Sequence, residues 1–311
     1  MALPASKIPT TSDLVAKRLK GKSFDWRSSV FQFVLLLSLL LSLAVLIVLL
    51  VDVTRDGFSV FQDRGTDFVR SGLSSLPDRA GIWQGLIGSL FIAIIVILVS
   101  FPLGIAAAVY LEEFAPDTRF TRFVTVNIRN LAGVPAVVYG LLGVAIFVKV
   151  LRAFTGGPTL LTGGLIMAVL VLPIVIITAS EALRAVPYSI REAGYGVGAT
   201  RWEVVRSHVL PAAAPGILTG TVLSLSRALG ETAPLLLVGA ITGFIAFGDQ
   251  SVYEMLYSSF TSLPTVVYGW ARQPSADFRD LTSAAIMVLL FVTLTANATA
   301  ILLRSRYERK W

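Results

Sequence analysis

Six apolar runs, each long enough to cross a bilayer, constrain the fold of this 311-residue chain more than any other feature. A hydrocarbon core about 30 Å thick requires roughly 20 predominantly apolar residues per helix. The composition agrees, since 55% of the residues are hydrophobic and only 14% are charged. The runs comprise residues 30–51, 86–111, 124–150, 160–178, 212–241 and 281–303. The sequence therefore predicts an all-α integral membrane protein with six transmembrane helices.

The distribution of charge predicts the orientation of these helices, because Lys and Arg accumulate on cytoplasmic loops. The two termini, with the loops after the second and fourth runs, carry 16 basic and 9 acidic residues. The opposite side carries 8 basic and 9 acidic residues. We therefore expect a membrane domain of residues 30–303 between cytoplasmic tails of residues 1–29 and 304–311. This topology also accounts for the net charge of +7 without a nucleic-acid partner.

Two outer segments, residues 52–84 and 242–280, are too long for tight turns, so we expect partly ordered structure in both. Their Phe and Tyr residues suit the interface between membrane and water. Within the second segment, the apolar residues 264–270 are typical of a stretch that lies along the membrane surface.

Charge inside the fifth run indicates a functional site, because charge at membrane depth is costly. Arg227 lies about 24 Å along the helix from Pro211, well within the bilayer. Glu231 follows four residues later, so the two side chains can meet on one helical face. Pro234 favours a kink beside them, because it cannot donate a hydrogen bond to the carbonyl of Gly230. At 100° per residue, this small and polar face comprises Gly216, Gly220, Ser224, Arg227, Gly230, Glu231 and Pro234.

The pair has the chemistry of an oxyanion site. An arginine fork suits a tetrahedral oxyanion, and a carboxylate suits an anion that still carries a proton. Phosphate keeps a hydroxyl at neutral pH whereas sulfate does not, so Glu231 would accept from phosphate and repel sulfate. The alternative is a buried ion pair that only braces the helices. Arg129, near the start of the third run, either reaches the cytoplasmic interface or takes part in anion passage.

The cytoplasmic loop of residues 180–211 has the pattern of two short helices. Ser189 is expected to cap the first helix, from Ile190, and a glycine cluster ends it. Thr200 is expected to cap the second, which runs to Leu210 before Pro211 stops it. Such a pair would present a stiff amphipathic surface for docking.

Other chemistry is excluded by composition and context. The chain has no cysteine and a single histidine, His208, which is expected to be solvated at a polar helix end. No Cys or Cys/His metal site is therefore predicted, while carboxylate ligation of magnesium or calcium stays open. Residues 194–199 fit a dinucleotide-binding pattern formally, but no strand precedes them. The Gly-Lys-Ser of residues 21–23 lacks the upstream glycine of a phosphate-binding loop. We therefore expect no enzymatic activity and no cofactor in this chain.

The loop carries a motif that resembles the signature of the membrane subunits of bacterial ABC importers. That signature reads Glu-Ala-Ala, three residues, Gly, nine residues, Ile, one residue, Leu-Pro. The chain departs at two positions, where Gly194 replaces the second Ala and His208 replaces the Ile. The resemblance implies a type I ABC importer permease fold and a coupling loop that inserts into an ATPase subunit. The coupling residues are then Glu192, Ala193, Gly194, Gly198, Leu210 and Pro211.

Two further stretches resemble the phosphate-specific permeases of this class, nearer the PstA type than the PstC type. They are residues 130–140 and the Arg-Ala-Leu-Gly-Glu-Thr run of residues 227–232. The resemblance implies an inorganic phosphate pathway lined by Arg227, Glu231, Thr232, Ser224 and Arg129.

The same resemblance implies a set of partners in a bacterial plasma (inner) membrane. These are a second, PstC-like permease, a homodimeric PstB-like ATPase that binds ATP and Mg, and an extracytoplasmic PstS-like phosphate-binding protein, besides membrane lipid. Transport would follow alternating access, driven by the ATPase through the coupling loop.

Three alternatives remain open. An ABC permease for another oxyanion, sulfate or molybdate, would share the coupling motif but not the Arg-Ala-Leu-Gly-Glu-Thr run. An ion-coupled secondary carrier would work alone and would have no use for a docking loop. A membrane signalling or scaffold protein would bind partners without moving a substrate.

Overall fold

The computed structural model describes residues 26–240 and 251–307, and every regular element among them is helical. Most of the two predicted tails and the outer residues 241–250 lie outside the described residues. The α-helices are α1 (Trp26–Arg64), α2 (Asp67–Arg70), α3 (Trp83–Val109), α4 (Arg119–Ala132), α5 (Ala136–Gly143), α6 (Arg152–Thr155), α7 (Leu160–Arg184), α8 (Tyr188–Gly196), α9 (Arg201–Val204), α10 (Leu210–Gly230), α11 (Ala233–Val238), α12 (Val252–Leu256), α13 (Leu263–Ala271) and α14 (Asp277–Tyr307).

The chain divides into two units at Asp52. Residues 1–52 form the first unit, whose described part is the apolar N-terminal portion of α1. Residues 53–311 form the second unit, which contains the C-terminal part of α1 and all the remaining helices.

Five helical segments among the described residues are long and apolar enough to cross a membrane, and a bent pair of helices makes a sixth. The bent pair, Arg119–Ala132 and Ala136–Val150, corresponds to the third run, and the chain bends by 103° between its halves. Gly133, Pro135 and Gly140 predict a break in the third helix, and the break at Gly133 and Pro135 is confirmed. Pro135 lacks an amide hydrogen and disfavours helical geometry at the preceding residue, so the helix breaks there and restarts after the proline.

Helix α7 is the most buried of the spans and packs against α3, α4 and α10. Small residues allow the helices to approach closely: a Cβ added at Gly216 of α10 would lie 2.8 Å from Cβ of Ala182 in α7. A Cβ at Gly220 would overlap the side chain of Thr178. Both glycines therefore permit the close helix packing that small residues allow in membrane proteins.

The second unit contains a separate apolar cluster formed by α13, α14 and the segment around α2. Residues 264–270 belong to α13, where Val266 and Trp270 are buried. Its apolar side chains pack against α14 and α3, and its expected place along the membrane surface stays a prediction.

Candidate functional site

The fifth run is interrupted at its charged residues. Helix α10 ends at Gly230, Glu231 is extended (φ −79°, ψ 126°), and α11 begins at Ala233. The fifth run is therefore not one continuous helix, and the kink that Pro234 predicts beside the charged pair is present as a break between two helices. A proline is tolerated in the first turn of a helix but not in its interior, so the chain unwinds before Pro234 and starts a new helix around it.

Arg227 and Glu231 meet at this break, as the spacing predicts. The distance between Nε of Arg227 and Oε1 of Glu231 is 3.6 Å. The side chain of Arg227 is 62% exposed and that of Glu231 is 23% exposed. The alternative of a pair buried between the helices of this chain therefore disagrees with the exposure of the guanidinium. That group stays open to a ligand or to a neighbouring subunit.

The other residues predicted to line the pathway occupy different surroundings. Thr232 is half-buried and directly precedes α11, beside the pair. Ser224 is buried, and its hydroxyl donates to the carbonyl of Gly220 at 2.7 Å. Arg129 is exposed near the end of α4 and borders a small cleft together with Glu181. The structure thus brings together Arg227, Glu231 and Thr232 and places the other two elsewhere.

The third and fifth runs are connected through the helices that follow their breaks, a feature that the sequence did not predict. Helix α5 packs against α11, and a Cβ added at Gly140 would lie 2.9 Å from Cα of Pro234. The hydroxyl of Tyr139 donates across the bend to the carbonyl of Leu131 at 2.9 Å. Broken helices inside membranes are tolerated where they line a cavity or are buried in protein. The sequence feature that could have indicated this connection is the set of glycines and prolines in residues 130–140 and 227–236.

The first helix of the loop of residues 180–211 begins earlier than expected. Helix α8 starts at Tyr188 after Pro187, without a side-chain cap, so the predicted cap by Ser189 is wrong. Proline presets the backbone torsion that precedes a helix, which shifts the start by two residues. Gly198 follows the helix with a φ of +84°, in the left-handed region that glycine adopts at low cost.

The second helix of this loop is capped as predicted but does not end at Pro211. The hydroxyl of Thr200 accepts from the amide of Glu203, whose carboxylate accepts in return from the amide of Thr200 at 2.7 Å. The helical run then continues through a π-helical turn, Val205–Val209, into α10. The expectation that Pro211 ends it is wrong, because the wider turn just before the proline accommodates its ring and its missing donor.

The motif residues lie on a compact, mostly exposed surface. Glu192, Ala193 and Gly198 are exposed, and Leu210 and Pro211 form the first turn of α10. Gly194 is buried instead, and a Cβ there would lie 2.7 Å from Cγ2 of Val204. The glycine that departs from the signature therefore lets the two loop helices touch. Apolar residues exposed around the motif are Tyr188, Tyr195, Val197 and Trp202.

His208 is exposed, in agreement with the prediction of a solvated histidine. Among residues 26–240 and 251–307, His, Asp and Glu side chains nowhere form a group of three that could hold a metal ion.

The comparison with known proteins agrees with this geometry. The family model for the inner membrane component of binding-protein-dependent transport systems matches residues 100–310, and the chain belongs to this family. It is therefore a multi-pass membrane subunit with the type I ABC importer permease fold. A bacterial transporter for the import of the acidic polysaccharide alginate superimposes with a TM-score of 0.64, at 16% identity over 95% of this chain and 100% of that chain.

Two curated relatives are phosphate transport permeases. The chain is 33% identical over 216 residues to the phosphate transport system permease protein PstA of Haemophilus influenzae. This match covers 69% of this chain and 73% of that protein. It is 32% identical over 257 residues to PstA 1 of Mycobacterium tuberculosis, which covers 81% of this chain and 77% of that protein.

Proposed function

We propose that this chain is the PstA-type permease subunit of an ATP-driven phosphate importer and forms the phosphate pathway together with a second permease. The observation that carries the proposal is the exposed Arg227 guanidinium, held 3.6 Å from Glu231 at a break in a membrane helix. The relationship to two PstA proteins supports phosphate as the substrate.

The chemistry of the break suits hydrogen phosphate. Arg227 donates several hydrogen bonds to the oxyanion, and a charged donor makes each of them stronger than a neutral one. Glu231 accepts the hydrogen bond of the phosphate hydroxyl, and Thr232 adds a hydroxyl beside it. A fully ionised sulfate has no proton for Glu231 and is repelled by the carboxylate. Broken membrane helices are a recurring way to place such groups near the midplane.

In this proposal, partner subunits supply the energy for transport and deliver the phosphate. The chain itself is non-catalytic, and ATP with Mg binds to a homodimeric, PstB-like ATPase that docks on the loop of residues 180–211. A PstS-like protein delivers phosphate from outside, and a PstC-like permease completes the pathway. The exposed Tyr188, Val197 and Trp202 are the kind of aromatic and apolar anchors that a docking groove accepts.

The proposed orientation places both termini in the cytoplasm of a bacterium, with the lipid bilayer around the spans. A reporter fused after Trp311 is expected to be active only in a cytoplasmic assay. A reporter inserted at Gln273, in the exposed turn between α13 and α14, is expected to be active only outside. The reason is the excess of basic residues on the side of the termini. External activity of the C-terminal fusion would contradict the six-span topology.

The substrate is tested by reconstituting this permease with its three partner proteins in vesicles. ATP-dependent uptake of labelled phosphate is expected, and excess sulfate should not inhibit it. In Glu231→Gln, the amide no longer repels sulfate and can donate to it, so sulfate should become an inhibitor. If the unchanged complex takes up sulfate or molybdate and not phosphate, the alternative oxyanion permease is correct. Phosphate transport by this permease alone, without ATP, would indicate a secondary carrier.

A further inference from the structure

Two consecutive carboxylates attach the cytoplasmic end of the second span to the rest of the molecule. Glu112 and Glu113 lie in the π-helical turn Tyr110–Phe114 that follows α3. Glu112 accepts two hydrogen bonds of 2.7 Å from Arg184, at the end of α7. Glu113 accepts one of 2.6 Å from Nη2 of Arg191, which belongs to α8 of the coupling loop.

The pair of Glu113 and Arg191 is the buried one. Their side chains are 5% and 12% exposed, whereas that of Arg184 is 51% exposed. Arg191 also donates to the carbonyls of Val186 (2.9 Å) and Leu183 (3.0 Å). One guanidinium therefore joins three parts of the chain: the loop helix that carries the coupling motif, the end of α7 and the end of α3.

The second part of the loop is attached to the same turn. The rings of Phe114 and Trp202 are 6.4 Å apart, and the guanidinium of Arg201 lies 5.4 Å from the centre of the Phe114 ring. Both loop helices thus contact residues 113–114, at the cytoplasmic end of the second span.

We propose that Glu113 is a positioning residue for coupling: through Arg191 it makes the coupling loop and α3 move as one body. Arg191 directly precedes Glu192 of the motif, so a displacement of α8 by the ATPase also displaces this cation. A buried ion pair resists separation, because either partner left alone would be an uncompensated buried charge. The displacement is therefore transmitted to α3, and through it to the core packed on α7.

The first test measures phosphate transported per ATP hydrolysed, and in this readout it rests on the proposed function. Glu113→Gln is expected to lower that ratio about tenfold, within the range of coupling free energies between sites. The double variant Glu113→Gln/Arg191→Gln should be no worse than the more impaired of the two single variants, because the pair acts as a unit. Asp117→Asn is the matched control, because Asp117 forms a 3.2 Å pair with Arg122 whose two side chains are 86% and 72% exposed.

The rates of phosphate transport and of ATP hydrolysis are both divided by the amount of ATPase subunit that co-purifies with the permease. A loss of assembly with an unchanged ratio would show that Glu113 only stabilises the complex, and would overturn the proposal. An unchanged ratio with normal assembly would overturn it as well. A lowered ratio in Asp117→Asn would also contradict it, because any charge change in this region would then have the effect.

The second test does not depend on the substrate. The chain has no cysteine, so spin labels can be attached to Tyr110→Cys and Tyr195→Cys, on either side of the buried pair. In the assembled complex, the distance between the labels is expected to stay the same with and without ATP. In Glu113→Gln, the distribution of distances between the labels should broaden, and its mean should shift when ATP is added. A distance that changes with ATP in the unsubstituted background would overturn the proposal. Absence of phosphate uptake by the unsubstituted transporter would contradict only the proposed function.

Discussion

Replacing Arg227 by Gln is expected to lower phosphate uptake at least about a hundredfold, because it removes the charged hydrogen-bond donors that bind the oxyanion. The transporter should still assemble. The side chain of Arg227 is 62% exposed within this chain, and exposed ion pairs contribute only about 0–1 kcal/mol to stability. Uptake of labelled phosphate in vesicles, at equal amounts of complex, measures the effect.

The double variant Arg227→Gln/Glu231→Gln separates the two roles of the pair. If the residues only brace the helix break, one unpaired charge is harmful and neutralising both restores transport. In an oxyanion site the neutral double variant remains inactive, because the donors are still missing. Normal phosphate flux in the double variant would return the pair to a purely structural role.

Arg122→Gln provides the control for loss of one positive charge. Arg122 also forms an ion pair, with Asp117 at 3.2 Å, but near the start of α4 and with both side chains largely exposed. Uptake by this variant should stay within about twofold of the unsubstituted protein, as expected for a surface pair. A comparable loss in Arg122→Gln would mean that net charge, and not the position of Arg227, controls transport.

Replacing Gly194 by Leu is expected to lower the amount of ATPase subunit that co-purifies with the permease at least about tenfold, a loss of about 1.4 kcal/mol. Even one added carbon at this position would lie 2.7 Å from Cγ2 of Val204, which is fully buried. A larger side chain must separate α8 from the helical run that begins at Arg201, and this separation displaces the docking surface.

The smaller change gives a matched comparison. Gly194→Ala adds one carbon against Val204 and should cost about 1–3 kcal/mol, the usual range for overpacking. Gly196→Ala adds the same carbon two residues further on, where nothing lies within 4 Å, and should retain the ATPase subunit. Val204→Ala in the Gly194→Ala background should recover much of the loss, because it removes the contacting methyl groups. Equal retention in Gly194→Ala and Gly196→Ala would contradict the proposed contact between the loop helices.

The sequence by itself was sufficient to predict the apolar spans and to identify the coupling motif and the charged pair of the fifth run. These features depend on local properties, namely the length of an apolar run, the spacing of a motif and the cost of charge at membrane depth. The cap of Thr200 could also be predicted, because a capping box joins residues three positions apart. The meeting of Arg227 and Glu231 followed from the same local logic.

Only the tertiary structure decided how far the broken membrane helices bend and what holds the coupling loop. Pro135 and Pro234 favour the breaks locally, but the 103° bend and the packing of α5 against α11 that joins the two broken runs are long-range features. The ion pair of Glu113 and Arg191 joins residues 78 positions apart. No helical period connects such positions, because the contact exists only after α3, α7 and α8 have packed. Local sequence therefore determined which segments are helical, and long-range packing determined how far they bend and which of them are tied together.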